Sequence, residues 1–191
     1  MEGAAPLIGG GMEILRADAL PESVRDIDFS FDIDAIVVEP FGSLPLRIEP
    51  SPFRRKSYDL DDGLFWSHDG VDEILFVARE NDGAVAGYIT VTRHWNGCAV
   101  VDDFAVARPF RRRGLASALM DQAVGWARKS DLGTIRLETQ STNVAACRFY
   151  EKYGFILGGY DRFLYRELGP EISEEVALFW YLNISSRDGA Q

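Results

Sequence analysis

The chain has 191 residues, of which 47% are hydrophobic, and a formal net charge of −10. That length and apolar share suit a single globular domain with a real core. No apolar run reaches the ~20 residues a membrane span needs, and the acidic balance argues against nucleic acid as the main partner. Two cysteines, Cys98 and Cys147, and two histidines, His68 and His94, show no metal-ligand spacing and no disulfide framework. The reading is therefore a protein of the reducing cytoplasm with no metal. The glycine-rich start, "MEGAAPLIGGGM", has neither a basic region nor a long apolar stretch, so no secretory signal is expected. Residues 1–11 read as a flexible tail and 12–191 as one domain, with Met12 equally able to be a start.

In chain order, "MEILRADA" (12–19) predicts a first strand, and "LPESVRDIDF" (20–29) a helix beginning near Pro21, with acids following. Residues 30–60 hold Pro40, Pro45, Pro50 and Pro52 and read as loops and short pieces. "DEILFVARE" (72–80), "AVAGYITVTRH" (84–94) and "CAVVDDFAVA" (98–107) predict three strands joined by "NDG" and "WNG" turns, because Asn and Gly tolerate the positive φ of tight hairpins. They form an antiparallel meander.

The period then changes. In "GLASALMDQAVGWARKS" the apolar Leu115, Leu119, Ala123, Val124 and Trp126 fall at helical spacing. "TIRLETQ" (134–140) is a strand, and "NVAACRFYEKYGF" (143–155) is a helix stopped at Gly154. "YDRFLYRE" (160–167) and "EVALFWYLNI" (175–184) close the chain as strands. The strand–helix–strand unit at 98–140 implies a parallel pair within a mostly antiparallel sheet. The expected architecture is α+β: a mixed, twisted sheet of six to seven strands with helices on its faces.

Positive charge is concentrated where the first helix begins. Arg111, Arg112 and Arg113 run into Gly114. A helix N-terminus exposes unpaired backbone N–H groups and the positive end of a dipole, so it binds phosphate with or without side-chain help. Read from the residues alone, the run is either a phosphate cradle or a solvated basic turn. No G-x-x-x-x-G-K-[ST] and no G-x-G-x-x-G occurs. What stands here is R-x-x-G-x-A, Arg111 to Ala116, after a strand ending in "FAVARPF".

That motif resembles the acetyl-CoA signature of the GCN5-related N-acetyltransferase (GNAT) superfamily. "NVAACRFYEKYGF" is similar to the superfamily's second motif, matching at Asn143, Ala146, Tyr150, Gly154 and Phe155. "VDDFAV", "LETQSTNVAACRFYEKYGF" and "EVALFWYL" together resemble the streptothricin acetyltransferases, antibiotic-resistance members of that superfamily, over roughly residues 58–184. The resemblance implies a GNAT fold and acetyl-CoA as co-substrate. It implies pyrophosphate against the amides of residues 112–117 (Arg112, Arg113, Gly114, Leu115, Ala116, Ser117), with arginine side chains fastening the phosphates. The pantetheine arm would run along Phe104, Ala105 and Val106, with the N–H of Val106 or Phe104 facing the thioester oxygen and Asn143 contacting the arm. Asn143 also suffices as a helix cap.

Direct transfer to an amine needs the amine deprotonated and the departing thiolate protonated. Asp102 and Asp103 interrupt an apolar strand, and as neighbours should face opposite sides of the sheet. Either they hold a cationic acceptor, with a base role through water, or they are a salt-bridged pair at a sheet edge. Glu138 is the third candidate carboxylate. Tyr150 would be ordinary core by periodicity; the resemblance makes it the general acid. "ALFWYL" reads as core strand, with Trp180 or Tyr181 as an option for the substrate side. By analogy with the superfamily, Trp66, Tyr58 and Asp59 lie where an acceptor lid is built. The reaction expected is N-acetylation of a cationic small molecule, foremost the β-lysine amine of streptothricin. A polyamine, a protein amine, or non-catalytic acyl-CoA binding are the competing readings. Oligomeric state is left open, a homodimer among the options.

Overall fold

The structure, a computed structural model, describes residues 11–42, 44–60, 64, 72–170 and 172–185. Its strands are β1 (Met12–Ala17), β2 (Phe31–Val37), β3 (Ile48–Lys56), β4 (Glu73–Glu80), β5 (Val85–Arg93), β6 (Ala99–Val106), β7 (Thr134–Gln140), β8 (Ile156–Asp161) and β9 (Ala177–Asn183), with helices α1 (Leu115–Lys129) and α2 (Val144–Tyr153). The fold is α+β and mostly antiparallel. The chain divides into two compact units, the division falling inside β7 between Ile135 and Arg136.

The first unit draws on Met1–Ser30, Ser57–Ile135 and Ile184–Gln191 as far as they are described. Its strands run in the order β1-β4-β5-β6, each antiparallel to its neighbour. Both predicted hairpins form: Gly83 and Gly97 take φ of 88° and 79°, a region open to glycine at little steric cost. Asp82 Oδ1 accepts from the Ala84 amide at 2.9 Å and Asn96 Oδ1 from the Cys98 amide at 3.2 Å, so both turn side chains tie down local backbone. β5 is buried along nearly its whole length. On one face lies α1, whose Leu115, Leu119, Met120, Ala123, Val124, Trp126 and Ala127 are buried. Gly87 makes the approach tight: a Cβ there would stand 2.7 Å from Ala105 O and 3.3 Å from Leu119 Cδ1. Elsewhere in this unit Leu20, Val24, Leu64, Leu75, Val77, Val85 and Tyr88 form a core cluster. The helix expected over 20–29 is only a short 3-10 turn, Glu22–Asp26: the backbone turns extended at Ile27 (φ −87°, ψ 133°), and Ile27 and Phe29 pack against the core from extended chain.

The second unit comprises Phe31–Lys56 and Arg136–Asn183. Three of its strands run in the order β7-β9-β8, while β2 and β3 make a separate two-stranded antiparallel sheet. The β2–β3 pair corrects the expectation of loops over 30–60. Pro50 and Pro52 argued against a strand because proline lacks the ladder donor, yet in a two-stranded sheet every strand is an edge. β2 shows the period-2 signal, with Phe31, Ile33 and Val37 buried. A second correction concerns the strand expected over 160–167. It lies earlier, as β8, and 162–168 is turn. Gly158 lies inside β8 and admits a neighbour, since a Cβ there would stand 2.5 Å from Tyr181 Cδ2, beside an irregularity in the β8–β9 register. Ser141, 5% exposed, joins β2 to the segment before β9: its carbonyl accepts from Val37 N, its amide donates to Val176 O, and its Oγ accepts from Val176 N.

Candidate active site

In the first unit, β6 leads through a 3-10 turn, Arg108–Phe110, into α1. Arg111 holds this connection. Its Nε donates to Val106 O at 2.8 Å, Nη1 to Ser30 O at 2.7 Å and Nη2 to Phe29 O at 2.8 Å. The first arginine of the motif thus spends its fork on backbone carbonyls. Arg112 and Arg113 are exposed, and Arg113 lies 5.7 Å over the Phe110 ring. Arg112 adopts φ 65° and Gly114 φ 84°, an αL passage unusual for a non-glycine residue. Gly114 occupies the N-cap and offers no side-chain cap. The first bond of α1 runs from Ala118 N to Gly114 O at 3.1 Å, so the amides of the preceding turn have no acceptor inside the helix. A Cβ on Gly114 would meet nothing within 4 Å. An uncapped, open helix start with two exposed arginines beside it fits a polyphosphate, and Gly114, Leu115, Ala116 and Ser117 supply its backbone rim.

The aspartates do not sit as simple alternation requires. Thr90 pairs with Asp103 and Val91 with Val101, so Asp102 is an extra residue in β6, a bulge. Tyr88, Thr90 and Thr92 share one face of β5 by period two. Thr92 Oγ1 donates to Asp102 Oδ2, and Tyr88 OH donates to Asp103 Oδ2 at 3.0 Å. The Asp103 amide donates to Thr90 Oγ1 at 3.0 Å. Both carboxylates are therefore drawn to the same side of the sheet, correcting the expectation of opposite faces. Tyr88, 1% exposed, has its phenol pushed far up by burial and then by the charge on Asp103. It stays a hydrogen-bond donor throughout the working pH range. Phe104, Ala105 and Val106 follow, half-buried, opposite Ile89, Tyr88 and Gly87.

In the second unit, Asn143 caps α2, its Oδ1 accepting from Ala146 N at 3.1 Å, and Gly154 closes the helix at φ 110°. One buried face of α2 carries Tyr150 (7% exposed) among Phe149, Phe155 and Trp180, with ring centroids 5.5, 5.6 and 6.0 Å away. Trp180 is wholly buried; Tyr181 is half-buried. The Trp180 indole N–H is buried without a hydrogen-bond partner among the described residues. On β7, Glu138 accepts a hydrogen bond from Tyr165 OH through Oε1. Glu138 keeps an exposed face, yet the protein packed around it raises its carboxyl above the ordinary range; the Tyr165 hydrogen bond and the Lys56 charge pull it down, and Glu175 pushes it up. Tyr58 and Asp59 are exposed in the first unit; Trp66 lies outside the described residues.

Sequence reasoning passed over Tyr88, Thr92, Tyr165, Lys56 and Glu175. The first two were signalled by polar tips at every second position of an otherwise apolar strand, "YITVT". Nothing local marked the others. Among the described residues no group of three His, Cys, Asp or Glu side chains could hold a metal, and no helix is long and apolar enough to cross a membrane.

The sequence model of the acetyltransferase (GNAT) family matches residues 39–155. The chain belongs to the GNAT acetyltransferase family. Streptothricin acetyltransferase A of Bacillus subtilis (strain 168) is 35% identical over 135 residues, 71% of this acetyltransferase and 75% of that protein. A streptothricin acetyltransferase of Escherichia coli is 36% identical over 140 residues, 73% and 76% of the two chains. Among solved structures, a candidate streptothricin acetyltransferase from Bacillus anthracis str. Ames, in complex with acetyl coenzyme A, superposes with a TM-score of 0.75 at 33% identity, covering 91% of this acetyltransferase and 99% of that chain. The protein is an acetyl-CoA-dependent N-acetyltransferase with a GNAT fold.

Proposed function

We propose that this acetyltransferase modifies an amine of streptothricin, foremost the β-lysine amine, and so confers resistance to that antibiotic. The observation that carries the reading is the 35% identity to streptothricin acetyltransferase A over 71% of the chain. The acidic pair on β6 supports it, because a bulge that turns two carboxylates to one side suits a polycationic acceptor. Both cysteines are free thiols, which fits the reducing cytoplasm where an acetyl-CoA enzyme works.

Acetyl-CoA supplies an acetyl thioester, whose acetyl group goes to nitrogen while the sulfur leaves. The amides at the start of α1, with Arg112 and Arg113, hold its phosphates. Arg111 acts one step back, fixing the loop through the carbonyls of Phe29, Ser30 and Val106. The backbone of Phe104, Ala105 and Val106 lies along the arm, and Asn143 serves it beside its capping role. On the acceptor side, Asp102 and Asp103 hold ammonium groups, and Glu138 takes the proton that the attacking amine must lose. A lysine-like amine is ionised in all but roughly one of 2,500 molecules at pH 7, so a carboxyl raised above its ordinary range is a better proton acceptor than an ordinary one. Tyr150 gives its proton to the departing sulfur; packed among aromatic rings, it keeps a fixed direction.

The test is a steady-state assay of the purified chain with acetyl-CoA against streptothricin, spermidine and a peptide amine, reading thiol release. Turnover of streptothricin with the highest kcat/KM is expected. Turnover of spermidine or peptide without streptothricin would overturn the acceptor assignment. Acetyl-CoA binding without thiol release for any amine would reduce the chain to a binding module.

A further inference from the structure

The second unit contains a chain of charges that the family motifs do not include. Lys56, at the end of β3, places Nζ 2.6 Å from Glu175 Oε2, and Arg54 Nη2 stands 3.0 Å from Glu175 Oε1. Glu175 is only 3% exposed and the Lys56 side chain 14%. A carboxylate so deeply buried needs such partners. The same lysine and the same glutamate act on Glu138 in opposite directions. Tyr165, 6% exposed, directs its hydroxyl to the Glu138 Oε1. Lys56 thus stands in the field of two carboxylates, and Glu175 takes its ammonium.

We propose that Glu175 and Tyr165 are positioning residues for Glu138: Glu175 keeps Lys56 paired away from it, and Tyr165 fixes one carboxylate oxygen, so that the other oxygen is left to take the acceptor's proton. The proposal rests on the reading that Glu138 serves the acceptor amine. In the step, an N–H bond of the acceptor ammonium breaks and its electron pair stays on nitrogen. An O–H bond forms on Glu138, which returns the proton to solvent between turnovers. Glu175 does not serve the amine itself: it is buried, and both its oxygens are engaged by Arg54 and Lys56. The charged and titratable groups that act on Glu138 are Tyr165, from the turn after β8, Lys56 from β3, and Glu175 from the segment before β9.

The experiment follows the Glu138 side-chain carboxyl by carbon NMR across a pH titration of the full chain, the signal identified by its loss in Glu138→Gln. Glu175→Gln is expected to lower the Glu138 midpoint, since the charge pushing it up is gone and Lys56 is released toward it. Tyr165→Phe and Lys56→Met are each expected to raise it, since each removes a group that favours the carboxylate. Changes of roughly one pH unit are expected, with the acidic limb of kcat/KM moving the same way and acetyl-CoA affinity unchanged. If Glu175→Gln does not fold, Tyr165→Phe and Lys56→Met decide: Lys56→Met leaves Glu175 paired with Arg54. Midpoints that stay put in the folded variants would overturn the proposal. So would midpoints that move while the kinetic limb does not. A wild type that turns over another amine but not streptothricin would instead overturn the acceptor assignment, and the limb is then read with the amine it does use.

Discussion

Tyr88 on β5 donates its hydroxyl to Asp103 on β6, 3.0 Å away, across a register break that makes Asp102 the extra residue of its strand. The phenol is buried in the core cluster; the carboxylate is half-buried. The bond therefore links the core to the acidic pair. It holds Asp103 in one orientation without neutralising it. Tyr88→Phe should keep the ring packing and remove the donor. We expect a loss of about 1 kcal/mol of stability, the modest end for a bond to a charged group because Asp103 keeps some solvent. Chemical denaturation of the two proteins checks it. KM for the acceptor should rise as the carboxylate gains freedom.

The aspartates themselves should matter to the acceptor and not to the co-substrate. Asp102→Asn and Asp103→Asn keep shape and remove charge. At least one should raise KM for streptothricin several-fold, with acetyl-CoA affinity unchanged. The effect should shrink at high salt to the extent that the net charge of −10 contributes by long-range attraction. Steady-state kinetics at two ionic strengths gives the answer, and wild-type constants in both variants would return the pair to a structural role.

Gly114 separates two effects. Its φ of 84° strains any L residue, but its surroundings are open. Gly114→Ala should cost about 1 kcal/mol of stability through the backbone alone. Gly114→Glu should add an anion at the helix start and abolish acetyl-CoA binding in a folded protein. Calorimetric titration of both variants with acetyl-CoA discriminates them; retained affinity in folded Gly114→Glu would remove the basis for the phosphate cradle.

Tyr150→Phe keeps the contacts with Phe149, Phe155 and Trp180 and deletes the hydroxyl. We expect kcat to fall roughly 100-fold, with little change in acetyl-CoA affinity. A variant as fast as the wild type would assign protonation of the sulfur to solvent or another group.

Cys147 gives a pH prediction. Burial pushes its thiol from an ordinary 9.0 up to about 12. Below pH 9 the thiol is protonated whether folded or unfolded, and its full contribution is present. Above pH 9 the unfolded chain loses the proton and the folded one does not, so stability falls as pH rises toward 12, by up to about 1.4 kcal/mol per pH unit. Cys147→Ala should lose stability less steeply between pH 9 and pH 10.5 than the wild type, whatever its stability at pH 7. In the native protein Cys98, the more exposed thiol, should react with a thiol reagent well before Cys147.

Where the physics is local, the sequence by itself determined the structure. The "NDG" and "WNG" turns, the period of α1, and the Asn143 and Gly154 ends of α2 each follow from backbone preferences or capping within a few residues, and all stand as expected. The tertiary structure decided whatever depends on partners distant in the chain. Only pairing shows that β3 tolerates Pro50 and Pro52, because a ladder's demand for N–H donors depends on how many neighbours the strand has. Only the register of β5 against β6 reveals that Asp102 is a bulge and that two adjacent carboxylates turn the same way, since strand periodicity assumes an unbroken ladder. Glu175 looked like one acid among several in "PEISEEV"; its burial between Arg54 and Lys56, about 120 residues away, comes from packing. Charge in a protein interior is settled by what surrounds it, and no stretch of sequence states that.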